Sequence, residues 1–279
     1  TTGDRFHIIA GTGVNLNATG VQCEDGCRFE GMRIAGLGPA SDPPIPANGI
    51  GIECIGGCDV VNSAAVGNAA SSRVASATGL AIGAGTVLRS RLLGGDAAVA
   101  TGLLSSGGGS RVHLQDSLAI GFDGQEDTTL SSFLGRGVLL QATSNLSALH
   151  STIAARTWLR SPSPLGQCRG LEAEAGSQVR MVSSLLWAPC VDGYSVHGQL
   201  ENVRFMEHVG VATASRSFVG GSILNIDLPF EFLFAPIGVE FEPDYSDGAL
   251  PNGPDNMVTT LDVNGEARSA PSPIGAYAD

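Results

Sequence analysis

The chain has 279 residues, no Lys, 15 Arg against 27 carboxylates and a formal net charge of −12, a balance that repels nucleic acid and anionic membrane. Its 43% hydrophobic content with 39 Gly and few aromatics is that of a folded chain with a continuous core, not a disordered one. No apolar run reaches the roughly 20 residues needed to cross a bilayer, and no signal-like apolar segment follows Thr1.

The first segment, "TTGDRFHIIAGTGVNL", predicts a strand that covers the N-terminal end (residues 1–18). Next come two similar stretches, "VQCEDGCRFEG" from Val21 and "IECIGGCDVVN" from Ile52. They open a gapless series of eight nine-residue copies: "CRFEGMRIA" (Cys27), "CDVVNSAAV" (Cys58), "GTVLRSRLL" (Gly85), "VHLQDSLAI" (Val112), "LSALHSTIA" (Leu146), "VRMVSSLLW" (Val179), "LENVRFMEH" (Leu200) and "SILNIDLPF" (Ser222). First and third positions are mostly apolar, the sixth is usually small and polar, and the eighth is apolar or Ala. This pattern predicts a short strand, a tight bend and a second strand. Gly and Ser clusters interrupt every helical window, so little or no α-helix is expected.

The sixth positions are Met32, Ser63, Ser90, Ser117, Ser151, Ser184, Phe205 and Asp227. Five serines in register predict a structural ladder, stacked at the strand spacing of about 4.8 Å. Ahead of most copies sits another Gly-initiated strand ("TGVQC", "GIGIEC", "TGLAIG", "TGLLSS", "RGVLLQ", "RGLEAE", "DGYSVH"), giving about three strands per copy. Variable turns around a constant strand set favour a parallel β-solenoid over a propeller. One domain over residues 1–279 is expected, with coils from 19 to 234 and an irregular capping tail from 235 to 279.

The long inserts "LGPASDPPIPAN", "FDGQEDTTLSSFLGR" and "RTWLRSPSPLGQ" all leave after the second strand of a copy. The last two, within 122–136 and 156–167, belong to consecutive copies and would wall one cleft. Its candidate ligand-binding residues are Asp123, Glu126, Asp127, Arg136, Arg156, Trp158 and Arg160. Trp flanked by Arg suits stacking on a sugar ring with hydrogen bonds to its substituents. The "DGQED" run offers carboxylates to Ca²⁺ without the spacing of a full calcium loop; no other cofactor is expected. His113, His150, His197 and His208 fall in or near strands of different copies, and none has the spacing of a metal site or a nucleophile elbow. Downstream, "PFEFLFAPIGVEFEP" (Pro229 to Pro243) is expected to extend the core of the last coils.

The repeat resembles the "φ-x-φ-x-x-[NS]-x-φ" coils of the pectate-lyase-like superfamily of right-handed parallel β-helix proteins. The last segment, "LDVNGEARSAPSPIGAYAD" from Leu261, resembles the "D-x-x-G-x-x-R … D-I-G-A-Y-E" ending of secreted bacterial β-helix proteins of the choice-of-anchor type. Asp262, Gly265, Arg268, Ile274, Gly275, Ala276 and Tyr277 fill that pattern, while Pro273 and Ala278 replace its Asp and Glu. The resemblance implies an all-β, right-handed parallel β-helix of about eight coils and an extracellular or cell-surface location.

Within that register Cys27 lies level with Cys58, and Cys23 with Cys54. Rungs between coils and bridges within each bend both satisfy disulfide geometry. The entropy difference between the two loop sizes, roughly 2 kcal/mol, does not choose between them. Cys168 and Cys190 occupy equivalent places in adjacent coils, which favours a bridge between them. Zinc would need four converging thiolates, whereas stacked strands hold these in a flat array, so six disulfide cysteines and no metal are expected.

Enzymes of the resembled superfamily imply Ca²⁺-binding carboxylates with Arg or Lys, or clustered aspartates with His-Gly and Arg-x-Lys motifs. This chain has no Lys and only one His-Gly, at His197. The sequence therefore predicts a secreted or cell-surface, non-enzymatic structural or adhesive module. Its expected partners are a polysaccharide or a matrix component, not nucleic acid. The alternative is a polysaccharide lyase or hydrolase acting on an acidic glycan in the cleft of loops 122–136 and 156–167.

Overall fold

A computed structural model describes residues 7–12, 17–37, 48–68, 76–95, 97–123, 133–157, 166–174, 176–188, 194–198, 203–207, 209–212, 223–226, 232–234, 241–243, 259–269 and 275–277. β1 (His7–Thr12) precedes a first coil made of β2 (Asn17–Cys23), β3 (Cys27–Glu30) and β4 (Met32–Leu37). In the next two coils the first two strands merge, giving β5 (Asn48–Val61) with β6 (Ala64–Asn68), then β7 (Ser76–Leu88) with β8 (Arg91–Gly95). The fourth coil holds β9 (Val99–Ser105), β10 (Arg111–Gln115) and β11 (Leu118–Asp123), and the fifth holds β12 (Phe133–Leu140), β13 (Asn145–Leu149) and β14 (Thr152–Thr157). The sixth is β15 (Gly166–Ala173), β16 (Gln178–Val182) and β17 (Leu185–Trp187). The seventh is β18 (Tyr194–Gly198), β19 (Val203–Glu207) and β20 (Val209–Ala212). β21 (Ile223–Ile226) and a hairpin of β22 (Phe232–Phe234) with β23 (Phe241–Pro243) follow.

Each strand from β1 to β21 pairs in parallel with its counterpart one coil away, so the protein is an all-β parallel β-solenoid with three faces and no helix among the described residues. The first face is β2-β5-β7-β9-β12-β15-β18, the second β3-β5-β7-β10-β13-β16-β19, and the third β1-β4-β6-β8-β11-β14-β17-β20-β21. The class is as expected. The count of about eight coils is not: seven sets of strands form coils with all three faces among the described residues. The core between the faces is a column of aliphatic side chains, including Ile52, Leu80, Leu103, Val138 and Leu171 from the first face and Leu92, Ala119, Ile153 and Leu186 from the third.

The bend between second and third faces repeats in six coils. Gly31, Asn62, Arg89, Asp116, His150 and Ser183 all take the left-handed conformation, with φ between 44° and 65°. Five of them carry a Cβ and are strained there. The expected serine ladder holds the next position in that geometry. The hydroxyls of Ser63, Ser90, Ser117, Ser151 and Ser184 donate to the carbonyls of Val61, Leu88, Gln115, Leu149 and Val182 at 2.7, 2.8, 2.6, 2.9 and 2.9 Å. The same oxygens accept from the amides one coil earlier, Met32, Ser63, Ser90, Ser117 and Ser151, at 3.1 to 3.4 Å. Each buried hydroxyl thus satisfies one backbone amide that no sheet ladder reaches and gives a second donor to a carbonyl that already accepts the bend amide one coil earlier.

Two corrections concern the last copies. Glu207 pairs with Val182 and Gly210 with Leu185, across an irregularity at Val179/Arg180. Val209, not Phe205, therefore stands level with Ser184. Val209 in turn pairs with Ile223, so Ile223, not Asp227, takes the eighth place. Valine and isoleucine have no hydroxyl, and the ladder ends at Ser184. Within "FEFLF", β22 pairs antiparallel with β23 in a two-stranded sheet. Pro229 and Pro236 flank it, and proline cannot donate into a continuing ladder.

Two glycine columns thin the edge where first and third faces meet. A Cβ on Gly94 of β8 would stand 2.4 Å from the backbone N and O of Thr101 in the next coil, and one on Gly67 would stand 2.2 Å from Thr78 O. Reciprocally, a Cβ on Gly79 of β7 would stand 2.5 Å from Leu93 N. The two sheets touch here through backbone alone. Gly20, Gly51, Gly79, Gly102 and Gly137, near the start of the first-face strands β2 to β12, are thus a packing requirement, not a turn signal.

The first-to-second corner differs along the axis. In the first two coils it is closed by disulfides Cys23–Cys27 and Cys54–Cys58. Both bridges lie within a bend, which settles the pairing left open by the sequence. The half-cystines nevertheless stack, Cys23 level with Cys54 and Cys27 with Cys58. From the fourth coil Ser110 and Ser144 take over this corner, Ser110 Oγ donating to Gly107 O at 2.7 Å and the Ser144 hydroxyl bonding to Gln141 O. Cys168, also in a disulfide, is buried in the first face; Cys190 lies outside the described residues.

In β11, β14 and β17 the third face is buried on both sides. Its inward residues alternate with Leu118, Ile120, Thr152, Ala154, Leu185 and Trp187, which point outward yet are buried. Along this side run residues 259–269 and 275–277. Thr259 Oγ1 donates to Asp116 Oδ1 at 2.5 Å, Arg268 Nε lies 3.3 Å from the same oxygen, and the amides of Ala276 and Gly275 donate to Thr152 Oγ1 at 3.0 Å and Ser183 O at 2.8 Å. Burial pushes the Asp116 carboxyl above its usual range, against the opposing pull of the Thr259 hydroxyl, Arg268, Gln115 and Arg89.

Candidate functional site

The inserts leave from the corner between third and first faces. They are residues 38–47, 69–75, 124–132 and 158–165, between β4 and β5, β6 and β7, β11 and β12, and β14 and β15. Adjacent pairing of β11 with β14, and of β12 with β15, puts the stems of the last two side by side. Of the expected cleft residues, Glu126, Asp127, Trp158 and Arg160 lie outside the described residues. Asp123 is the last residue of β11 and Arg156 the penultimate residue of β14, where Asp123 pairs with Thr157 and Arg156 with Phe122.

Arg136 is three residues into β12, at the foot of both inserts. Its ladder neighbour is Arg169 of β15, so two guanidiniums stand one strand spacing apart. Glu172 bridges them: Arg136 Nε contacts Glu172 Oε2 and Arg169 Nη1 contacts Glu172 Oε1. Arg169 Nη2 also donates to Gln167 Oε1 at 3.2 Å. All three charged side chains are mostly buried, with 15–18% of their surface exposed. One carboxylate against two guanidiniums leaves a net positive charge in a chain that is otherwise acidic. The planar forks are held in place by that carboxylate, which suits them to an oxygen-rich ligand.

Arg169 and Glu172 were absent from the sequence-based site. The signal was present: "RGVLLQ" and "RGLEAE" align Arg136 with Arg169 in the same repeat register that predicts the serine ladder. Glu172 is bonded through both oxygens to Arg, and its next-coil neighbour is His197 of β18. Of the other histidines, His150 is a buried bend residue and His113 is exposed on the second face. No group of three His, Cys, Asp or Glu among the described residues is arranged to hold a metal ion. No helix of the described residues is long and apolar enough to cross a membrane.

No protein-family model, curated protein or solved structure matches the chain. Its class is defined by its own fold: a parallel β-solenoid braced by within-bend disulfides.

Proposed function

We propose that the protein is an extracellular β-solenoid module, of the secreted bacterial surface type that its repeat and C-terminal segment resemble. It serves as a rigid scaffold and binds glycan at the insert corner without cleaving it. The observation that carries this reading is the placement of the Arg136–Glu172–Arg169 cluster beside the adjacent strand ends from which two inserts leave. Disulfides at Cys23–Cys27 and Cys54–Cys58 fit an oxidising compartment. Glu172, engaged by two guanidiniums, is poorly disposed to act as a general base, which favours binding over catalysis.

A panel of neutral and acidic glycans, presented with and without Ca²⁺ and scored for both binding and cleavage, tests it. Binding without product is expected, and Arg136→Ala and Arg169→Ala should each weaken it by about tenfold or more, the scale of one lost charge-assisted hydrogen bond. Release of unsaturated or hydrolysed oligosaccharides would replace this reading with that of a polysaccharide lyase or hydrolase.

A further inference from the structure

The segment along the third face is closed on itself before it touches the solenoid. Leu261 bridges Ala267, and Asp262 Oδ1 accepts the amides of Asn264 and Glu266, both at 2.8 Å. The Val263 amide donates to Ala276 O at 2.9 Å, and Val263, Ala276 and Tyr277 form an apolar cluster separate from the main core. Arg268 draws the two ends together, donating from Nη1 to Tyr277 O and from Nη2 to Gly275 O, each at 2.9 Å. The remaining edge of that guanidinium, Nε, faces Asp116 of the bend column, with both side chains essentially buried.

Its described polar attachments to the solenoid reach Arg91, Asp116, Thr152 and Ser183 in four successive coils. None of them replaces a bond of the serine ladder, whose donors and acceptors all belong to the coils. The ladder is therefore complete without the segment, while the segment needs Asp116 to neutralise a buried cation. An unpaired buried guanidinium is strongly disfavoured.

We propose that residues 259–269 and 275–277 form a reversible clasp, keyed by Arg268 into Asp116, that docks on the side of the solenoid and opens without unravelling the serine ladder.

Hydrogen exchange on the full chain tests it, comparing wild type with Arg268→Ala. The amides of Val263, Glu266, Arg268, Gly275 and Ala276 should exchange about 100-fold faster in the variant, while those of Ser63, Ser90, Ser117 and Ser151 keep their wild-type rates. Ladder amides that loosen in step with the segment would overturn the proposal, as would unchanged protection of the segment. Should the variant fail to fold, wild type alone decides: the segment must open at lower denaturant than the ladder, and a single common opening would overturn it.

Discussion

Two corners of the solenoid face opposite demands. At the bend between second and third faces each of six coils spends one left-handed residue, and five follow it with a ladder serine, with no change in length from coil to coil. At the corner between third and first faces the connection runs from residues 96–98 to residues 38–47, a different length almost every time. The first corner is fixed because its backbone groups are buried and only one geometry satisfies them. The second is free because both its sheets are already paired when the chain leaves them. Loop closure in that situation costs little more for a longer loop, so sequence can drift there and acquire a site.

The contrast can be broken from either side. The largest effect is expected just beneath the free corner: Gly94→Ala drives a methyl into the Thr101 backbone and should cost about 3 kcal/mol, measured by denaturant midpoint at constant m-value. Next comes the fixed corner, where Ser117→Ala strands the buried Ser90 amide, while the Gln115 carbonyl keeps the Arg89 amide as donor. About 2 kcal/mol should be lost, and a neutral result would mean that the ladder is incidental to the bend. Smallest is a four-residue Gly/Ser insertion at residues 96–98, expected to cost under about 1 kcal/mol in the same titration. A loss matching that of Ser117→Ala would erase the distinction between the corners.

Much of the scaffold was legible in the sequence because its period is written in side chains. Ser63 through Ser184 announce a common register, and the strand that precedes each copy announces a third face. The register was lost where the hydroxyl was lost, at Val209 and Ile223, since an apolar residue there is indistinguishable from a strand residue. Cysteine pairing was hidden for an energetic reason: both bridges in a bend and rungs between bends satisfy the same spacing. The outer cover of the third face had a signal that period-two reasoning discards. Runs such as "SLAI" and "SLLW" are apolar at consecutive positions, as in a strand buried on both sides. Two of the three residues of the candidate site were within reach, Arg136 directly and Arg169 through register. Glu172 emerges only when neighbouring coils are stacked, because its partners are 36 residues and three residues away.

The placement of the two N-terminal disulfides also has a mechanical side. Since Cys23–Cys27 and Cys54–Cys58 close within single bends, neither sulfur bridge ties one of these coils to its neighbour. Tension along the axis is carried there by interstrand hydrogen bonds on three faces acting in parallel. The bridges thus act as staples at one corner of each coil, not as rivets through the stack. They guard the geometry of that corner and leave the spacing between coils to the backbone.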